Sequence, residues 1–226
     1  MDGDLNPSPP PRKDDLLFRS DLPDWTNNAC LNVMHGGDEI GYAEGYRRGA
    51  RLLVEYVAEN ARDQDYLVYP IIFLYRHHIE LALKNIIVRG LYLIDRVPTE
   101  AEKKHLIMHR LDLLWQDLKP MFADICKAAG WRAPERDDVE GIDEYIHQLS
   151  SMDPDSYAFR YAHSKKGTPS LPSDLKQVNL RHFAETIERL ADYLDGLDAA
   201  TVHLEEVKSE MEAEWRSEMA QYFYYT

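Results

Sequence analysis

The stretch from Phe73 to Ile87, FLYRHHIELALKNII, decides how this chain is read. Apolar residues fall on nearly every side of a 3.6-residue turn, which marks a helix contacted from several directions. Yet Arg76, His77, His78, Glu80 and Lys84 sit inside it. Arg76, Glu80 and Lys84 follow at four-residue steps on one face, with His77 beside them. Charges so placed either pair with each other and with neighbouring helices, an ion ladder that orients packing, or line a cleft and do chemistry. The ladder is the preferred reading for Arg76, Glu80 and Lys84, and a structural place is expected for His109 downstream as well. His78, on the opposite side, is expected to be a hydrogen-bonded core residue. Pro70 near the first turns and Gly90 as a stop put this helix at about 65–89.

Upstream, DEIGYAEGYRRGARLLVEYVAEN (38–60) carries Tyr42, Tyr46, Ala50, Leu53 and Val57 at helical spacing, an expected buried stripe. Gly41, Gly45 and Gly49 recur every fourth residue. Each costs roughly 1 kcal/mol against alanine in a helix interior, so the strip predicts a neighbouring backbone in close approach. Downstream, Thr99 and Glu102 have capping-box spacing. They open a helix with Leu106, Leu111, Leu114, Trp115, Leu118 and Phe122 on its buried side, bent or divided at Pro120 and ended at Gly130. A shorter amphipathic helix, GIDEYIHQLSSM, stops at Asp153-Pro154. DSYAFRYAHSKKGTPSLPSD then lacks a helical period and reads as a long loop, extended around 158–162 and with room for a small hairpin.

In the last third, Leu180, Phe183, Ile187, Leu190 and Leu194 form one stripe and Leu204, Val207, Met211, Trp215 and Met219 another. Gly196 either separates two helices or lies within one. The expectation is an all-α, up-and-down bundle of five to six helices, with one long loop before the C-terminal helices. Residues 1–24 read as a flexible Pro-rich lead, 25–197 as the bundle, and 198–226 as a helical extension. Its aromatic tail, QYFYYT, must pack or meet a partner.

Composition narrows the function. Hydrophobic residues at 44% of 226 suffice for a packed core. A net charge of -14 repels a phosphate backbone at long range and disfavours nucleic-acid binding over the whole surface. The charge is uneven: Phe183–Thr226 holds eleven acidic and three basic residues, whereas Asp155–His182 holds two acidic and five basic. Cys30 and Cys126 are far apart without metal-type spacing, which fits a reduced, cytoplasmic protein. The opening MDGDLNPSPPPRKDD lacks the pattern of a secretion signal, and the longest apolar run is interrupted by charges, against a membrane span.

The order of motifs resembles the HEPN superfamily: YAEGYRRGARLLVEY, then RHHIELALKNII, HRLDLLWQDL and AFRYAH before the last long helix. Glu80 and Lys84 match an acidic residue followed four positions on by lysine; His109 and Leu111 match a His-x-Leu helix opening; Arg160 and Tyr161 match an Arg-Tyr pair before the last helices. The resemblance covers about Trp25 to Leu197. It implies a bundle that forms a homodimer, in bacterial antiviral defence or toxin–antitoxin systems. Active members are metal-independent ribonucleases with an arginine followed, after four to six residues, by a histidine. None of the sixteen arginines here has a histidine at that distance, so that catalytic pair does not transfer. The implied role is therefore non-catalytic dimerisation and partner binding, with no cofactor.

The alternative is a divergent ribonuclease or RNA-binding effector. Its candidates are Arg160 and His163 in the loop with Arg76 and His77 from the central helix, the imidazole moving protons and the guanidinium holding phosphate. Tyr161, Lys165 and Lys166 are the binding candidates for RNA or a nucleotide at this basic loop. His105 and His109 could present two metal ligands on one helical face, but no third is marked and no metal is expected. A protein partner is expected at the acidic C-terminal helices and aromatic tail.

Overall fold

The computed structural model describes residues 10–13, 17–18, 23–31 and 38–225, without the side chains of 38–40 and 223–225. It divides into two units, Met1–Asp38 and Glu39–Thr226. Most of the lead assigned to 1–24 lies outside the described residues. Within the first unit, Trp25–Asn27 form one 3-10 turn, and the Thr26 hydroxyl donates to Asp24 at 3.0 Å.

The second unit is all-α. Its helices are α1 (Asp38–Asn60), α2 (Gln64–Leu93), α3 (Glu100–Leu106), α4 (Leu111–Ala128), α5 (Arg136–Met152) and α6 (Leu180–Tyr225). α2 is the central element and packs most extensively on α6 and α4. Ile71, Tyr75, Ile79, Leu83, Ile86 and Ile87 on α2 are buried together with Arg76, His78, Glu80 and Asn85, and these polar residues inside the buried surface are why its sequence shows no single apolar face. Leu114, Leu118 and Ile125 from α4 and Leu190 and Leu194 from α6 complete the core. Each such side chain stabilises the fold by about 1.5–3 kcal/mol relative to exposure.

Several expectations are corrected. Gly90 does not stop α2. A Cβ there would lie 2.5 Å from Ile125 Cδ1, so it serves the crossing of α2 and α4. The stop is Asp95, in the left-handed region at φ 55°, with Arg96 N–H donating to the Leu91 carbonyl at 2.9 Å and Asp95 N–H to Tyr92 at 3.2 Å. The same pattern at Gly130 (φ 66°) ends α4. The helix opened by the Thr99–Glu102 capping box is short, and the break falls between Leu106 and Leu111; Pro120 lies inside an uninterrupted α4.

On α1 the buried positions are Ala43, Arg47 and Ala50, and Tyr42 is exposed. Of the expected stripe, Ala50, Leu53 and Val57 do pack on the core and only Tyr42 is exposed. In the first turns the buried side is widened by Arg47, which reaches three carboxylates of α6, Glu188, Asp192 and Asp195. Glu188 also accepts from Arg51 Nε at 2.8 Å. Burial works to raise the Glu188 carboxyl, but hydrogen bonds from Arg51, Arg47 and Tyr75 outweigh it and hold it down at about 2. Close approach does not explain Gly41 and Gly45, whose Cβ positions have no heavy atom within 4 Å; Gly49 meets only Leu74, at an ordinary 3.6 Å.

α6 runs without interruption through Gly196, so residue 197 lies inside one helix. Lys208 anchors it to the end of α2, donating to the Tyr92 carbonyl at 2.7 Å and to Asp95 at 2.5 Å. Val207, Met211 and Trp215 are exposed, as is Tyr222; the side chains of the remaining aromatic tail lie outside the described residues.

Between α5 and α6 the chain is irregular but anchored. Asp153 Oδ1 accepts from the backbone N–H of Tyr157 (2.6 Å) and Ala158 (2.9 Å), folding 154–160 into a tight turn where extended backbone was expected. Ala158 and Phe159 are buried against Ile72. Beyond them an isolated antiparallel bridge pairs His163 with Pro169 and puts Lys165 and Lys166 at the tip of a small hairpin.

Candidate functional site

Arg76 is wholly buried. Its Nε donates to the Asp153 carbonyl (3.1 Å) and Nη1 to the Glu80 carboxylate (3.2 Å). Nη2 donates to the carbonyls of His109 (2.7 Å) and Pro154 (3.3 Å). Burial pulls this guanidinium below its ordinary value while Asp153 and Glu80 act against that. One α2 side chain thus fixes the start of the loop and the entry to α4.

Glu80, equally buried, receives Lys84 Nζ and His109 Nδ1 on Oε1, each at 2.8 Å. Burial would raise its carboxyl, but Lys84 and then His109 bring it below 4.5. An ionised carboxylate only accepts, so His109 Nδ1 carries the proton it donates. In the neutral imidazole Nε2 is then left with its lone pair. The His109 side chain is 53% exposed.

His109 borders an open groove of about 660 Å³, which Tyr157, Arg160, Tyr161, Lys165 and Lys166 also line. Tyr157 and Tyr161 stack with ring centres 4.4 Å apart. Arg160 Nε donates to the Ser156 carbonyl at 2.5 Å, and its guanidinium lies 5.4 Å from the centre of Phe73 and 5.6 Å from that of Tyr161. Planar cation and stacked rings are held in one place, with two lysines at the rim.

The sequence candidates are therefore distributed unequally. Arg160, Tyr161, Lys165 and Lys166 share the groove. Arg76 lies behind its wall with every nitrogen engaged. His77 is set between Tyr46 (4.4 Å, edge-on) and Phe73 (5.6 Å, stacked), and burial keeps it below 6.5. His163 is exposed but does not line the groove. His105 pairs with Asp117 at 2.8 Å, apart from His109, and among the described residues no group of three metal-ligating side chains gathers. Sequence reasoning placed His109 in the structural cluster and weighed it with His105 as a metal-ligand pair, but not in the loop site; its position in the groove follows from Glu80, twenty-nine residues earlier, which periodicity does not connect.

No family model, curated protein or solved structure matches this chain. Among the described residues no helix is long and apolar enough to cross a membrane.

Proposed function

We propose that this chain is a HEPN-like binding protein whose groove holds single-stranded RNA without cutting it, as part of a bacterial defence or toxin–antitoxin system. The observation that carries the reading is the gathering of Arg160, Lys165 and Lys166 with the stacked Tyr157–Tyr161 pair around one groove. Cations that follow phosphates and flat rings that stack on unpaired bases are what single strands require. The acidic remainder of the chain confines the contact to this place. The proposal includes pairing with a second copy through the exposed apolar side of α6.

The test is fluorescence anisotropy with a labelled single-stranded RNA across a salt series. Replacing both Lys165 and Lys166 with alanine is expected to weaken binding at low salt at least tenfold and to flatten the salt dependence by about 1.4 in log–log slope, two phosphates at about 0.7 each. Absence of binding, or equal binding by the double alanine variant, overturns the assignment.

The Glu80–His109 pair favours a second reading, in which the groove also cleaves. A histidine oriented by a buried carboxylate, beside a guanidinium, has the parts for proton transfer at a phosphodiester. Here His109 takes the place given in the sequence to His163. RNA left intact by the purified protein retains the binding-only reading; fragments that vanish with His109→Ala replace it.

A further inference from the structure

On the other side of the Arg76–Asp153 pair lies a second depression. α5 packs chiefly on α4 and only lightly on α6. The gap bounded by α2, α5, α6 and the residues before α6 is a cavity of about 260 Å³. Ile72, Leu149, Met152, Phe159, Val178 and Phe183 make its walls apolar, and Arg76 and Asp153 also border it. Asp153 is 1% exposed, and its two carboxylate oxygens are treated differently. Oδ1 takes two backbone N–H groups, whereas Oδ2 has no hydrogen-bond partner, Arg76 Nε standing 3.7 Å away. A buried acceptor of this kind calls for a donor.

We propose that this cavity binds a small, neutral, largely apolar molecule carrying one hydrogen-bond donor, and that on binding the wall shifts enough for the donor to meet Asp153 Oδ2, which is otherwise closed off from solvent. The volume sets the size. A dry cavity of about 150 Å³ holds one benzene ring and drug-sized ligands take about 300–1,000 Å³, so about 260 Å³ suits a fused pair of rings. Phe159, Phe183 and Met152 offer the ring and sulfur contacts that aromatic guests favour. The charge sets the neutrality: an ammonium would be opposed by Arg76 and a carboxylate by Asp153. Asp153 borders both this cavity and the RNA groove, but Lys165 and Lys166 line only the groove and Thr186 only the cavity, so the lysine and Thr186 variants test the two assignments separately.

Indole and 1-methylindole serve as probes, since they share a shape and only the first has an N–H. Titrated into the full chain and followed by calorimetry and by amide NMR shifts, indole is expected to bind at submillimolar concentration and to move resonances of α5's last turn and α6's first turns. The methylated probe is expected to bind about 10- to 100-fold more weakly, the worth of a hydrogen bond to a charged acceptor. Thr186→Trp, at a half-exposed wall position, fills the space and is expected to abolish indole binding with an unchanged melting curve. Equal affinity for the two probes, no indole binding at millimolar concentration, or indole binding that survives Thr186→Trp in a folded variant each overturns the proposal. The comparison of probes needs no variant and so decides the matter even if the substituted chain does not fold.

Discussion

Without the Arg76 guanidinium, Glu80 and Asp153 would remain buried as carboxylates and three carbonyls would lose a donor. Arg76→Met is therefore expected to cost about 3–5 kcal/mol, the usual penalty for stranding a buried charge, read as a lower urea midpoint at constant m-value. Glu188 gives the pH dependence. Its carboxyl is held at about 2 in the folded chain against an ordinary 4.5, so its contribution is complete above roughly pH 5. That contribution is lost as pH falls through 4.5 towards 2, and Glu188→Gln should make the acid loss of stability shallower while lowering stability at pH 7. Glu102, held at about 2 by Arg96, leaves a residual slope of the same sign. At this scale the sequence showed the four-residue ladder of Arg76, Glu80 and Lys84. It could not show that Arg76 binds carbonyls of residues 109, 153 and 154, because that depends on where two distant chain segments arrive.

The helices were legible from hydrophobic period, but their phases and ends were less so. The α1 stripe runs as expected through Ala50, Leu53 and Val57 but was begun at Tyr42 because an aromatic ring ranks as core, whereas the buried line there runs through Ala43 and Arg47, paid for by three α6 carboxylates. The α3–α4 break at 107–110 contains neither Gly nor Pro, and the left-handed stop of α2 is an aspartate, so neither carried a residue-type signal. Two glycines that look alike in sequence are expected to answer oppositely to alanine. Gly45→Ala meets open space and should stabilise by about 0.5–1 kcal/mol through helix propensity. Gly90→Ala drives a methyl against Ile125 in the core and should destabilise despite the same propensity gain. Thermal melts of the two variants beside the parent settle both signs.

For the molecule as a whole, the uneven charge was visible in the sequence, and the basic loop is where the groove forms. What was not visible is that the loop folds back beside His109, since loop 153–179 is positioned by Asp153 and by Phe159 on Ile72 rather than by any period. The exposed side of α6 yields an association prediction: light scattering should give twice 26.3 kDa, and Met211→Ser with Trp215→Ser should return the single-chain mass without moving the melting temperature. Arg76 bears on how the molecule assembles. Its bonds reach residues 33 and 78 positions away, so neither α2 alone nor α2 with one neighbour satisfies it. A half-assembled bundle would leave Arg76 with Glu80 alone and its remaining N–H groups unmatched in oily surroundings, and such intermediates are penalised until the loop and the start of α4 close around it together. The buried charge thereby works as a proofreading step, making folding all-or-none where packing alone would tolerate partial order.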